Sequence, residues 1–265
     1  MRAQGLRWLM MVLWLGLALS PAPAAAAQTR ENLEYQVSLG PWDDVARVHL
    51  VLTETGPGRY QAEFSGAAQG MWKLLSRWLP ERYQTEMVYQ DGRLKPLVYR
   101  EEFINQGQHV VKEYRFDYES QRLIFWRQAG GGQKVKKWEV PLKEPVYDLL
   151  SLFYNVRLGV MGALPGGSSL RVAVLPTPEP QEMVFCIGDN TDQGRKVMLN
   201  FRAPEAATAD QYYIYLNADR VPNLAWTRVT FFGKLAGRLL NPGDIKKEGL
   251  LALPRSPGPV LGARR

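Results

Sequence analysis

Along most of the chain between Leu33 and Leu235, apolar residues recur at every second position in short runs broken by turn residues, a pattern that predicts antiparallel β-strands. Tyr35, Val37 and Leu39 open the series. After the turn Gly40-Pro41-Trp42-Asp43-Asp44 come Val48, Leu50 and Leu52, and after Thr55-Gly56-Pro57-Gly58 come Tyr60, Ala62 and Phe64, completing a three-strand meander. Further strands are expected at 83–89, 96–103, 109–118, 123–127 and 135–140. A second set follows at 170–175, 183–187, 196–201, 212–216 and 225–235. In the last of these, Leu224, Trp226 and Phe232 oppose Ala225, Val229 and Phe231, so cover on both faces is expected.

Between the two sets the period changes. In the segment from Pro145 to Gly159, Leu149, Leu152, Phe153 and Val156 recur at helical spacing and form an apolar row to bury. Asp148 can accept the first free backbone N–H groups, and Gly159 can take the left-handed conformation that ends a helix. A shorter amphipathic helix is expected at Met71–Leu79, with Met71, Leu74, Leu75 and Trp78 on one face and Pro80 as its stop. About a dozen strands with one inserted helix define a mainly β fold, a single strongly curved antiparallel sheet forming a closed or half-open barrel whose concave face the helix partly fills. A two-sheet sandwich is the competing architecture. The absence of a repeat at fixed period argues against a propeller or solenoid.

The N-terminus sets the compartment. Arg2 and Arg7 precede an apolar run from Trp8 to Leu19, then Ser20-Pro21-Ala22-Pro23 and alanines to Ala27, the three zones of a secretory signal with cleavage expected after Ala27. The apolar run is too short for a spanning helix, which needs roughly 20 residues. Residues 28–240 then form a single β-rich domain, and 241–265, with Pro242, Gly243, Pro254, Pro257 and Gly258, read as a disordered tail. A periplasmic location is expected. Without the first 27 residues the chain carries 31 Lys and Arg against 26 Asp and Glu, a mild and dispersed excess that argues against nucleic acid but is compatible with peripheral contact with an anionic membrane. The single cysteine, Cys186, precludes an internal disulfide and reads as a small buried hydrophobe in an apolar strand.

Candidate chemistry is sparse. His49 and His109 lie in separate strands, no Gly-x-Ser-x-Gly elbow occurs, and one cysteine with two dispersed histidines makes no metal site, so no cofactor or metal is expected. Glu101 and Glu102 point to opposite faces of a strand, and Asp117 and Glu119 lie at a strand end. Gly130-Gly131-Gly132 lacks the Lys-Ser/Thr of a phosphate loop. Candidate ligand contacts are instead Trp72 and Trp78, interleaved with Lys73 and Arg77 in a manner suited to a membrane interface or a cavity gate, and Tyr154 and Arg157 on the central helix. The row Asp148, Ser151, Tyr154 and Arg157 admits two roles. In the structural one, Asp148 and Ser151 cap, Arg157 pairs with a strand carboxylate and Tyr154 closes the core; in the other, the row orients a ligand head group at a cavity rim.

These segments carry a resemblance. Leu33-Glu34-Tyr35, the row Asp148, Ser151, Tyr154 and Arg157, and the later Asp219, Pro222, Phe232 and Gly233 together resemble a bacterial envelope family known as domain of unknown function 3108. The resemblance implies an exported β-rich protein, with Asp148, Ser151, Asp219, Pro222 and Gly233 as its structural motif and no established activity or cofactor. A weaker, architectural likeness is to half-barrel envelope carriers of lipoprotein acyl chains. The expected function is non-catalytic binding of a lipid, an acyl chain or another amphiphilic envelope component in a concave groove. The alternatives are an interaction module with an envelope protein partner and a solid core, and a carboxylate-dependent hydrolase of glycan or lipid.

Overall fold

The computed structural model describes residues 27–69, 82–142, 145–175, 180–201, 211–229, 232–244 and 250. Eight long strands come first: β1 (Gln28–Leu39), β2 (Trp42–Gly56), β3 (Arg59–Ala68), β4 (Arg82–Gln90), β5 (Arg93–Asn105), β6 (Gln108–Asp117), β7 (Arg122–Ala129) and β8 (Val135–Pro141). A two-residue strand, β9 (Val146–Tyr147), leads into helix α1 (Leu149–Leu158). Six more follow: β10 (Ser169–Val174), β11 (Gln181–Thr191), β12 (Gly194–Phe201), β13 (Tyr212–Leu216), β14 (Pro222–Val229) and β15 (Gly233–Leu239).

All fifteen belong to one sheet, running from β8 in descending order to β1, then to β15 and in descending order to β9. The first strand therefore sits mid-sheet between β2 and β15, and every pairing is antiparallel except β9 with β10. The sheet is not closed, because its edge strands β8 and β9 do not pair with each other. They are nevertheless drawn together: Leu142, Val146 and Leu175, next to those edges, pack into one cluster with Tyr99, Tyr114, Phe116 and Leu123.

The stretch read as one strand over 225–235 is a hairpin, β14 to β15. Gly233 turns it with φ 85°, a left-handed conformation that glycine adopts without strain. Gly40 passes so close that a Cβ on it would lie 2.5 Å from the Phe232 carbonyl oxygen. The start of the expected tail is bound to the domain: Asn241 accepts the Glu34 N–H and donates to the Asn32 carbonyl, and Leu250 is buried in the cluster around Leu33 and Leu52. The proposed helix at 71–79, with Trp72 and Trp78, lies outside the described residues, as do residues 1–26 of the signal segment and 251–265.

Alternation sorts the side chains. On the inner face, which packs on α1, aromatic rings step across the first half of the sheet: Phe64–Tyr83, Tyr83–Tyr99, Tyr99–Tyr114, Tyr114–Phe125 and Phe125–Trp138, with centroids 5.6, 6.2, 5.8, 4.7 and 5.3 Å apart. Such contacts add roughly 0.5–1.5 kcal/mol each beyond area burial, and they fill the interior beside β5–β8. The outer face of the same strands carries an ion-pair lattice centred on Glu113, which takes hydrogen bonds from Arg100, Arg115 and Lys134. Burial pushes the Glu113 carboxyl up, but those three donors outweigh it and hold the group at about 2. Cys186 is half-buried on the outer side of β11, with the Asn200 amide nitrogen 3.6 Å from its sulfur; alternation turns Phe185 and Ile187 inward in its place.

Candidate apolar ligand cavity

Helix α1 begins and ends as its residues dictate. Asp148 Oδ1 accepts the N–H groups of Leu150 (2.9 Å) and Ser151 (3.0 Å), Ser151 Oγ accepts the Asp148 N–H at 3.1 Å, and Gly159 closes the helix at φ 80°. Its orientation reverses the simple expectation. The row expected to be buried is the less buried one, since Leu149 is 38 % exposed and Phe153 only half-buried, although Leu152 is enclosed. The polar row goes fully into the sheet: Asp148, Ser151, Tyr154 and Asn155 have no exposed surface, and Arg157 has almost none.

A polar row can be buried only if its groups find partners, and the sheet supplies them. Thr85 of β4 donates its hydroxyl to Asp148 Oδ1 at 2.7 Å. Asn155 mimics a strand neighbour, accepting the Leu94 N–H at 2.9 Å and donating to the Leu94 carbonyl at 2.8 Å on β5. Arg157 pairs with buried Glu31 of β1, its Nε lying 3.1 Å from Glu31 Oε1, and it also donates to the Asp219 carbonyl. Burial pushes the Asp148 carboxyl up, partly offset by the hydrogen bonds from Thr85 and Ser151. Burial likewise raises the Tyr154 and Tyr35 hydroxyls, with Glu31 adding to both.

Docking α1 by its polar face leaves its apolar face turned toward the second half of the sheet, where two cavities lie. The larger, about 470 Å³, is bounded by Tyr35, Val37, Leu50 and Phe64 on one side and by Ala225, Leu235 and Gly237 on the other. The smaller, about 370 Å³, is bounded by Leu164, Met183, Phe185, Ile187 and Val197. Both share Leu149 and Phe153 of the helix together with Leu199, Tyr212, Ile214 and Pro222, so they adjoin along the helix. The small residues Ala225 and Gly237, paired in register, help to create the space; a Cβ on Gly237 would meet nothing within 4 Å. Among the lining side chains Arg220 alone is charged, and it donates to the Val156 carbonyl at the end of α1.

The sequence candidates distribute unevenly. Tyr154 and Arg157 lie on the helix face turned away from both cavities and line neither. Of the motif residues, Asp148 and Ser151 cap the helix, Asp219 gives its carbonyl to Arg157, Gly233 turns the hairpin, and Pro222 lines both cavities. Glu31, Thr85, Asn155 and Arg220 were not singled out. The first three carry no local signal, because a lone polar residue in an alternating strand or in an apolar helix is silent about a partner over sixty positions away. Among the described residues no group of three His, Cys, Asp or Glu could hold a metal ion, and no helix is long and apolar enough to cross a membrane.

A largely β protein whose single open sheet wraps one helix and leaves an apolar interior space is the class that the fold defines. The chain belongs to the family described as protein of unknown function DUF3108, whose match spans residues 34–179 and so takes in the second half of β1, the strands β2 through β10, and α1. It is also similar to the crystal structure of a beta-barrel-like protein of domain of unknown function DUF1849 from Brucella abortus, at 8% identity and a TM-score of 0.47, over 79% of this chain and 94% of that one. No curated protein matches the chain.

Proposed function

We propose that this protein is a non-catalytic carrier, exported to the periplasm, that holds the apolar part of a lipid or lipoprotein acyl chain between α1 and the inner faces of β1–β4 and β10–β15. The observation that carries this reading is the pair of adjoining apolar cavities of about 470 and 370 Å³, each within the roughly 300–1,000 Å³ of ordinary ligand pockets. A helix that turns Leu149 and Phe153 into open space, while spending its polar face on the sheet, forgoes burial that a solid core would have used. Arg220 supports an amphiphile with an acidic head over a plain hydrocarbon, since its guanidinium is the charged group at the smaller cavity. The basic, apolar and small-residue zones of residues 1–27 support export.

Organic extraction of the purified protein followed by mass spectrometry should release an amphiphile, and a fluorescent fatty acid should brighten on binding and be displaced by palmitate. A protein that releases none and leaves the probe dark would sink the carrier reading. Recovery of a mature chain starting at residue 28 from the periplasmic fraction tests export; an intact N-terminus in the cytoplasm would overturn it.

A further inference from the structure

We infer that the outer face of β12–β15 is a docking surface for an anionic lipid membrane. The register places Lys196, Arg228, Lys234 and Arg238 on the outward side of these strands, and no Asp or Glu shares that side. None of the four cations makes an ion pair among the described residues, and three of them are exposed. The outer face of the first half is the opposite case. There Arg47, Arg82, Arg100, Arg115 and Lys134 are each matched to a carboxylate. Among the described residues, the outer face of the first half is largely neutralised by its own carboxylates, whereas that of β12–β15 carries positive charge outside any ion pair.

The same patch carries aromatic residues. Tyr213 and Trp226 stack at 4.2 Å, Lys196 Nζ lies 5.1 Å from the Tyr213 ring centre, and Lys234 Nζ lies 5.0 Å from that of Trp226. Aromatic rings with an apolar body and a polar tip, set among unpaired cations, match the headgroup region of an anionic bilayer. Single-stranded nucleic acid also uses aromatic and basic surfaces, but it stacks bases on free ring faces, and these rings are stacked on each other and flanked by lysines. Tyr213 and Trp226 also border the larger cavity, so the docking strands form part of its wall. The inference rests on the surface alone, so vesicle binding and amphiphile binding can fail separately.

The test uses the full chain in co-sedimentation with vesicles of phosphatidylcholine alone and of phosphatidylcholine mixed with phosphatidylglycerol. Binding should appear only with phosphatidylglycerol and weaken with salt. Arg228→Glu with Lys234→Glu should lower it at least about tenfold, since each cation near such a surface contributes a severalfold factor. Trp226→Ser should weaken it without removing the salt dependence. Both variants should keep the wild-type circular dichroism, and the charge-reversal variant should also keep the wild-type melting curve. A charge-matched reversal elsewhere, Lys136→Glu with Lys137→Glu on β8, should leave binding unchanged. Equal binding to neutral vesicles, equal loss from the β8 reversal, or capture of single-stranded DNA in place of vesicles would each overturn the assignment.

Discussion

Arg157 and Glu31 illustrate how single residues tie this chain together across its length. Both are buried, and Arg157 links β1, α1 and the loop carrying Asp219. Arg157→Met leaves Glu31 as an uncompensated buried charge and should cost about 3–5 kcal/mol in chemical denaturation. Adding Glu31→Met should restore much of the loss; a double variant as unstable as the sum of the two singles would show that the pair is not coupled. Asp148 makes a pH-dependent prediction. Its carboxyl binds its proton more tightly folded than unfolded, so its contribution is fully present below the unfolded value near 3.8 and is lost as pH rises through the higher folded value. Asp148→Asn keeps an acceptor for Leu150 and Ser151 but removes that titration. Melting curves should therefore favour the variant progressively more from pH 4 to pH 7, on top of a constant offset, and parallel curves would refute the assignment. Asp148 and Gly159 were legible as caps because capping acts over three or four residues; Glu31 was not, because its partner lies 126 positions away.

Element by element, α1 is the informative case. Helical periodicity showed correctly where the helix lies and which residues share a face, but which face the sheet accepts depends on partners on other strands. Thr85 and the Leu94 backbone claim Asp148 and Asn155, and once those bonds form the apolar row has nowhere to point but into the cavities. The mutational pattern should thus be inverted from that of an ordinary amphipathic helix. Asn155→Ala, which strands the Leu94 N–H and carbonyl without their side-chain partner, should cost about 1–3 kcal/mol in urea denaturation. Leu149→Ser should cost less than about 1 kcal/mol while weakening the fluorescent fatty acid. A Leu149→Ser variant as unstable as Asn155→Ala would mean that the apolar face is core rather than cavity wall. The β14–β15 hairpin teaches a related lesson. Its apolar alternation runs on almost without a break, and only the left-handed Gly233 marks the reversal.

For the whole molecule, the asymmetry between two halves of one sheet governs behaviour. The inner side of β5–β8 is filled by its aromatic series, whereas space remains between β1–β3 and the strands carrying Ala225 and Gly237. Gly237→Val places a β-branched side chain at an unstrained strand position with nothing within 4 Å of the new Cβ. It should raise stability by roughly 0.5–1 kcal/mol and abolish probe binding in the larger cavity. A destabilised variant, or one that binds the probe unchanged, would show that the space is not where the ligand lies. Most of the β content, the meander, the place of the helix and its caps were determined by the sequence alone, because period-two alternation, turn residues and capping are local properties of the chain. Tertiary structure alone decided that β15 closes onto β1, that the sheet stays open between β8 and β9, and that α1 enters polar face first. Each of those outcomes depends on pairings between residues far apart in sequence, whose cost in chain entropy and gain in buried hydrogen bonds leave no mark on either partner's neighbours.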